Sequence, residues 1–118
     1  MAPRALACLP LLLAIALLPA MQYLHADGSP PDDEAMIELA WDSGCFTCHD
    51  VDERVRGPAW RDVARRYRDD PEAFERLVAT VIAGGGGNWG DDAMTANRRV
   101  PEADVRTLVE WLLALELE

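Results

Sequence analysis

Apolar and polar positions in this chain recur with a helical period, after an opening run that is almost wholly apolar. Met36, Ile37, Ala40 and Trp41 lie on one face of a helix, and all four are expected in its core. Asp32-Asp33-Glu34 puts negative charge at the positive end of that helix, and Gly44 lets the chain turn out of it. Gly57-Pro58-Ala59-Trp60 reads as a loop entering a short helix that runs through Arg65 or Tyr67. Asp69-Asp70-Pro71 caps a further helix to about Ile82, with Phe74, Leu77, Val78 and Val81 as its apolar stripe. Four glycines, Gly84 to Gly87, carry too large a backbone entropy cost to continue it. A last helix begins near Pro101, with proline in the first turn and Glu102 and Asp104 following; Val105, Leu108, Val109, Leu112 and Leu115 form its inward face. No segment alternates with the period of a strand, and no internal repeat is present. The pattern predicts an all-α domain of about four to five short helices.

The opening run behaves differently. Arg4 precedes an apolar stretch from Ala5 to Ala20, broken by Pro10 and Pro19, which is the layout of a secretory signal. Neither Leu18-Pro19-Ala20 nor Leu24-His25-Ala26 has small residues at both cleavage positions. An uncleaved anchor is therefore the alternative, since Ala5 to Leu24 approaches the roughly 20 residues that span a bilayer. Cys8 reads as an apolar leader residue, with most of the hydrophobic stretch after it. The expected organisation is a signal peptide or N-terminal membrane anchor at 1–26, a polar proline-rich linker at 27–31, and a folded domain at 32–118.

Between the first two helices lies Cys45-Phe46-Thr47-Cys48-His49, the C-x-x-C-H attachment sequence of c-type haem. Two thiols at this spacing can each form a thioether to one porphyrin, and the adjacent imidazole becomes the proximal ligand of the iron. Three other chemistries compete. A thioredoxin-like redox pair would follow a strand, and no strand pattern precedes these cysteines. Structural zinc needs four ligands, and the only other candidates are Cys8 and His25. An ordinary disulfide is the third, and none of the three fits well. One covalent haem c is the cofactor expected.

Composition agrees. The chain has 118 residues, so removing 1–26 leaves 92 to fold, and a chain of that size buries a limited core. An apolar macrocycle held among short helices would supply part of the missing interior. The leader carries Arg4 and no acid; without it the 11 basic residues fall to ten against 21 acids, a net charge near −11. Nucleic acid is disfavoured as a partner.

From Gly44 to Leu115 the chain resembles the small monohaem class I cytochromes c of bacteria, the short periplasmic electron-shuttle type. Beyond the haem pentapeptide, the resemblance rests on Gly57-Pro58, Gly84 to Gly87, Trp89-Gly90, Met94, Asn97 and Trp111-Leu112, in that order. It implies the class I cytochrome c fold, with the first and last helices crossing beside the haem. It also implies that the Pro58 carbonyl accepts from the outer nitrogen of His49, that the Trp89 indole donates to a haem propionate, and that Asn97 bonds near the methionine sulfur.

Met94 is the candidate sixth ligand. It lies in a polar loop with Asp91, Asp92, Thr95 and Asn97, where a core methionine has little reason to be; Met36 is the rival. A soft, neutral thioether favours ferrous iron, so His/Met ligation raises the reduction potential. Two positions depart from the family. Ala93 and Thr95-Ala96 flank Met94 where relatives carry stiffening prolines, and Thr80 stands where a basic residue commonly pairs with a propionate.

The function expected is one-electron transfer, without substrate turnover, by a periplasmic monomer or one anchored to the inner membrane and facing the periplasm. Electrons would come from a membrane complex or dehydrogenase and go to a terminal reductase or oxidase. Acids near the haem edge, Asp91 and Asp92 among them, would steer a basic partner surface. A haem enzyme or gas sensor with a labile or open sixth position is the alternative, and a cytochrome subunit of a larger dehydrogenase is a third.

Overall fold

The computed structural model describes residues 31–117, so the expectations for the leader, Cys8, His25 and most of the linker lie outside the described residues. Among the described residues four α-helices follow one another: α1 Asp33–Asp42, α2 Trp60–Tyr67, α3 Ala73–Ala83 and α4 Glu102–Ala114, with one 3₁₀ turn at Cys45–Thr47. No strand occurs among the described residues; an isolated antiparallel bridge joins Gly85 to Met94.

Local chemistry sets the helix ends. Asp32 is the N-cap of α1, its carboxylate accepting from the Glu34 amide at 3.4 Å, with Asp33 and Glu34 in the first turn. Gly44 then adopts φ 74°, a left-handed conformation that turns the chain into Cys45. Asp70 accepts from the Glu72 amide at 2.9 Å in a tight turn, which delays the start of α3 to Ala73. Pro101 has extended dihedrals and precedes α4 rather than sitting in its first turn.

Helix α4 is the centre of packing, with α1, α2 and α3 all against it. Leu108, Trp111 and Leu115 join Met36, Ala40, Trp60 and Ala64 in one cluster, while Val105 and Val109 meet Val78 of α3 in a second. Trp111 meets Trp60 edge-on, centroids 5.7 Å apart, and its indole nitrogen donates to the Asp33 carboxylate at 2.7 Å. That bond ties the start of α1 to the end of α4.

One core expectation fails. Met36 and Ala40 are buried and Ile37 is half-buried, but Trp41 is 69 % exposed. The reason is geometric: α4 covers the face that holds Met36 and Ala40, and Trp41 turns to its edge, where its ring meets Phe46.

Candidate haem site

The helices leave a cleft of about 1250 Å³ between the C-x-x-C-H turn and the loop after α3. This exceeds the roughly 300–1,000 Å³ of ordinary small-molecule pockets. Cys45, Cys48, His49, Pro58, Trp89, Met94 and Asn97 all line it. Leu77, Val81, Leu108 and Val109 contribute apolar wall.

The segment around His49 is tightly folded. The Cys48 carbonyl accepts from the amides of Arg56 at 3.2 Å and Gly57 at 2.7 Å, bringing the chain back beneath the imidazole. His49 Nδ1 lies 2.8 Å from the Pro58 carbonyl oxygen. A carbonyl can only accept, so Nδ1 is the donor, which leaves Nε2 as the ring nitrogen that can bind a metal. The ring stacks on Trp60 at 5.9 Å. Gly57 leaves no room for a larger residue: a Cβ there would stand 2.7 Å from His49 Nδ1 and 2.8 Å from Nε2. Gly57 was legible in the sequence as a turn residue, but its contact with the imidazole carries no local signal.

Both site thiols are free and half-buried. Burial pushes the Cys45 thiol up, whereas C-x-x-C oxidoreductases depend on a lowered value. Among the described residues, no three His, Cys, Asp or Glu side chains gather to hold a metal ion as zinc would require. A wide, mostly apolar cleft, two free half-buried thiols and one imidazole fixed through Nδ1 fit covalent haem.

Met94 is half-buried and enters the cleft on a loop held by its own backbone. Its amide donates to the Gly85 carbonyl at 2.6 Å, and its carbonyl accepts from the Gly85 amide at 3.0 Å. Gly84, at φ 80°, would bring a Cβ to 2.8 Å from the Met94 carbonyl oxygen and 2.9 Å from the Ala96 amide. The glycine run thus seats this loop as well as ending α3, a role that only the tertiary contact reveals. Asn97 is held through its amide to the Val81 carbonyl at 2.9 Å, and its side chain donates to the Ser43 carbonyl at 3.3 Å. The rival Met36 is packed in the core with Ala40 and Trp111.

Trp89 is positioned by arginines that sequence reading did not single out. The Arg66 guanidinium lies 4.6 Å from its ring centroid, Arg54 donates to its carbonyl at 2.7 Å, and Tyr67 meets it edge-on. The Thr80 hydroxyl is engaged locally by the Arg76 carbonyl; the cations at the cleft are Arg56, Arg98 and Arg99.

The Cytochrome c family model matches residues 37–116. The chain is 51 % identical over 85 residues to cytochrome c-551 of Allochromatium vinosum, covering 72 % of this chain and 90 % of that protein. It is 36 % identical over 83 residues to cytochrome c-552 of Nitrosomonas europaea, covering 70 % and 81 % respectively. The crystal structure of wild-type Nitrosomonas europaea cytochrome c552 superposes with a TM-score of 0.65 over 68 % of this chain and 99 % of that one, at 36 % identity. A C-x-x-C-H turn facing a cleft wide enough for a porphyrin, on a fold shared with these proteins, has one explanation: the chain belongs to the cytochrome c family, as a small class I monohaem electron carrier with one covalently attached haem c.

Proposed function

We propose that His49 and Met94 are the two axial ligands, and that the protein shuttles single electrons in the periplasm without transforming a substrate. The observation that carries this is the pairing, around one cleft, of an imidazole whose Nδ1 is committed to Pro58 and a methionine whose loop is clamped by Gly85. When bound, the haem iron supplies a reversible change between ferric and ferrous states. The residues do the rest. The Pro58 carbonyl keeps the lone pair on His49 Nε2 and strengthens it as a donor. The Gly85 bridge keeps Met94 in place in both oxidation states, which holds reorganisation small. Trp89, steadied by Arg54 and Arg66, offers an indole donor for a propionate. Asn97, anchored between Val81 and Ser43, holds the strand of chain beyond the ligand next to the end of α1.

The protein exchanges electrons with other redox proteins. With ten arginines against 21 acids outside the leader, the partners that suit it present basic surfaces. No helix among the described residues is long and apolar enough to cross a membrane.

The test is the absorption spectrum of the oxidised protein, in which a weak far-red band reports methionine on ferric iron. The band should be present and absent from Met94→Ala, which should then bind carbon monoxide readily when reduced. A wild-type protein without the band, binding carbon monoxide as fast as the variant, would instead favour the open-site enzyme or sensor.

A further inference from the structure

We propose that the outward stripe of α1 centred on Trp41 is the docking surface for a basic redox protein. This rests on the reading of the chain as a carrier with basic partners, and it moves the contact away from Asp91 and Asp92 to the helix before the haem-binding turn. Trp41 is the most exposed large apolar side chain among the described residues, at 69 %. With Gly44, Phe46 and Thr47 it borders a shallow depression of about 260 Å³. Three and seven positions earlier on the same helix face stand Glu38 and Glu34, both exposed.

The carboxylates on this stripe are not neutralised by any basic neighbour on their own helix. Helix α1 contains no basic residue, and like charges four apart, as at Glu34 and Glu38, weaken a helix. Neither glutamate forms an ion pair among the described residues. Asp52, Asp62, Asp70, Glu72, Glu75 and Glu102 are each paired with an arginine. Asp91 and Asp92 also form no ion pair among the described residues, but the tryptophan beside them, Trp89, is half-buried and already has the Arg66 guanidinium over its ring. A tryptophan face beside two unneutralised carboxylates fits a lysine or arginine laid over the ring and bonded to the acids. Tryptophan is also among the residue types enriched at the energetic centres of protein interfaces.

The position suits electron transfer. Trp41 touches Phe46 with centroids 5.5 Å apart, Phe46 touches Trp60 at 5.1 Å, and Trp60 stacks on His49 at 5.9 Å. The Gly44 amide also bonds to the Trp41 carbonyl at 2.9 Å, one residue before Cys45. A partner seated on Trp41 therefore stands against the segment that carries the haem.

The experiment is stopped-flow electron transfer from the reduced full-chain holoprotein to oxidised, lysine-rich mitochondrial cytochrome c, across a range of ionic strength. E34Q/E38Q should lower the second-order rate at low salt about three- to tenfold and flatten its salt dependence. W41S should lower it about five- to tenfold with the salt slope retained. D91N/D92N should stay within about twofold of wild type, and all variants should react normally with benzoquinone, a small neutral oxidant. If D91N/D92N carries the loss while the α1 variants match wild type, this docking site is wrong and the basic-partner reading survives. A wild-type rate independent of salt would defeat both. Sedimentation as a dimer that W41S dissociates, or slow hydroxyl-radical labelling of Trp41 in the isolated full chain, would show the stripe already covered and overturn the proposal.

Discussion

Replacing Gly57 with alanine tests most directly the link between the backbone and the His49 imidazole, the proposed iron ligand. Gly57 does not have a positive φ, so alanine meets no backbone penalty there, and the whole effect comes from the added methyl. That methyl would stand 2.7 Å from His49 Nδ1 and 2.8 Å from Nε2. Ordinary carbon contacts lie at about 3.5 Å, so the ring or the loop must recede by about 1 Å. The 2.8 Å bond from Nδ1 to Pro58 would then pass the limit of a good hydrogen bond. Losing it costs about 1 kcal/mol, and relieving the crowding about 1–3 kcal/mol, so the variant should be destabilised by about 2–4 kcal/mol. For a domain of this size that is a fall on the order of 10–20 °C in Tm, read by far-UV circular dichroism of the holoprotein. Weaker donation from the imidazole should also raise the reduction potential in a redox titration. Gly44→Ala is the control: φ 74° makes it costly by about 1–2 kcal/mol, yet a Cβ there meets nothing within 4 Å. It should lower Tm without moving the potential. If Gly57→Ala melts within a degree or two of wild type at an unchanged potential, the steric argument is refuted.

Further expectations concern other parts of the fold. Met94→His should lower the reduction potential by a sizeable part of the roughly 0.8 V range open to haem axial ligands, as potentiometry would register. Asp33→Ala removes the carboxylate that accepts from Trp111 and should cost about 1.5–3 kcal/mol in denaturant unfolding, more than Glu34→Ala on the same turn. Acid sensitivity should follow the arginine-bound carboxylates. The Arg106 bond holds the Glu75 carboxyl below its usual 4.5, and the Arg76 bond holds Asp70 below 3.8. A depressed folded value means stability that is present above the unfolded value and lost as pH falls through the folded one. Thermal melts of Glu75→Gln should therefore show a shallower decline below about pH 4.5 than wild type, and an unchanged profile would assign acid unfolding to other groups.

The helical stripes were legible because burial repeats at the helix period: Val105, Leu108 and Val109 could be assigned inward from spacing alone. Periodicity identifies a face but not what covers it, which is why Trp41, in phase with Met36 and Ala40, was expected inside and is found outside. Helix starts shifted by a residue or two where a turn consumed residues first, as at Asp70, or where proline stayed extended, as at Pro101. In the site, Cys45, Cys48 and His49 were readable because the chemistry demands that spacing. The bond from Arg54 to Trp89 and the latch from Asn97 to Ser43 were not, because they join residues 35 and 54 positions apart.

The Gly85–Met94 bridge separates two properties that proline-flanked ligand loops merge. Its hydrogen bonds run from main chain to main chain, so the clamp is indifferent to the side chain at position 94. Donor chemistry there can be exchanged while the architecture that presents it stays closed. On the proposed His49/Met94 ligation, the protein is accordingly a ready scaffold for reprogramming: a single codon at position 94 changes the proposed donor, and the rest of the chain need not be redesigned around it.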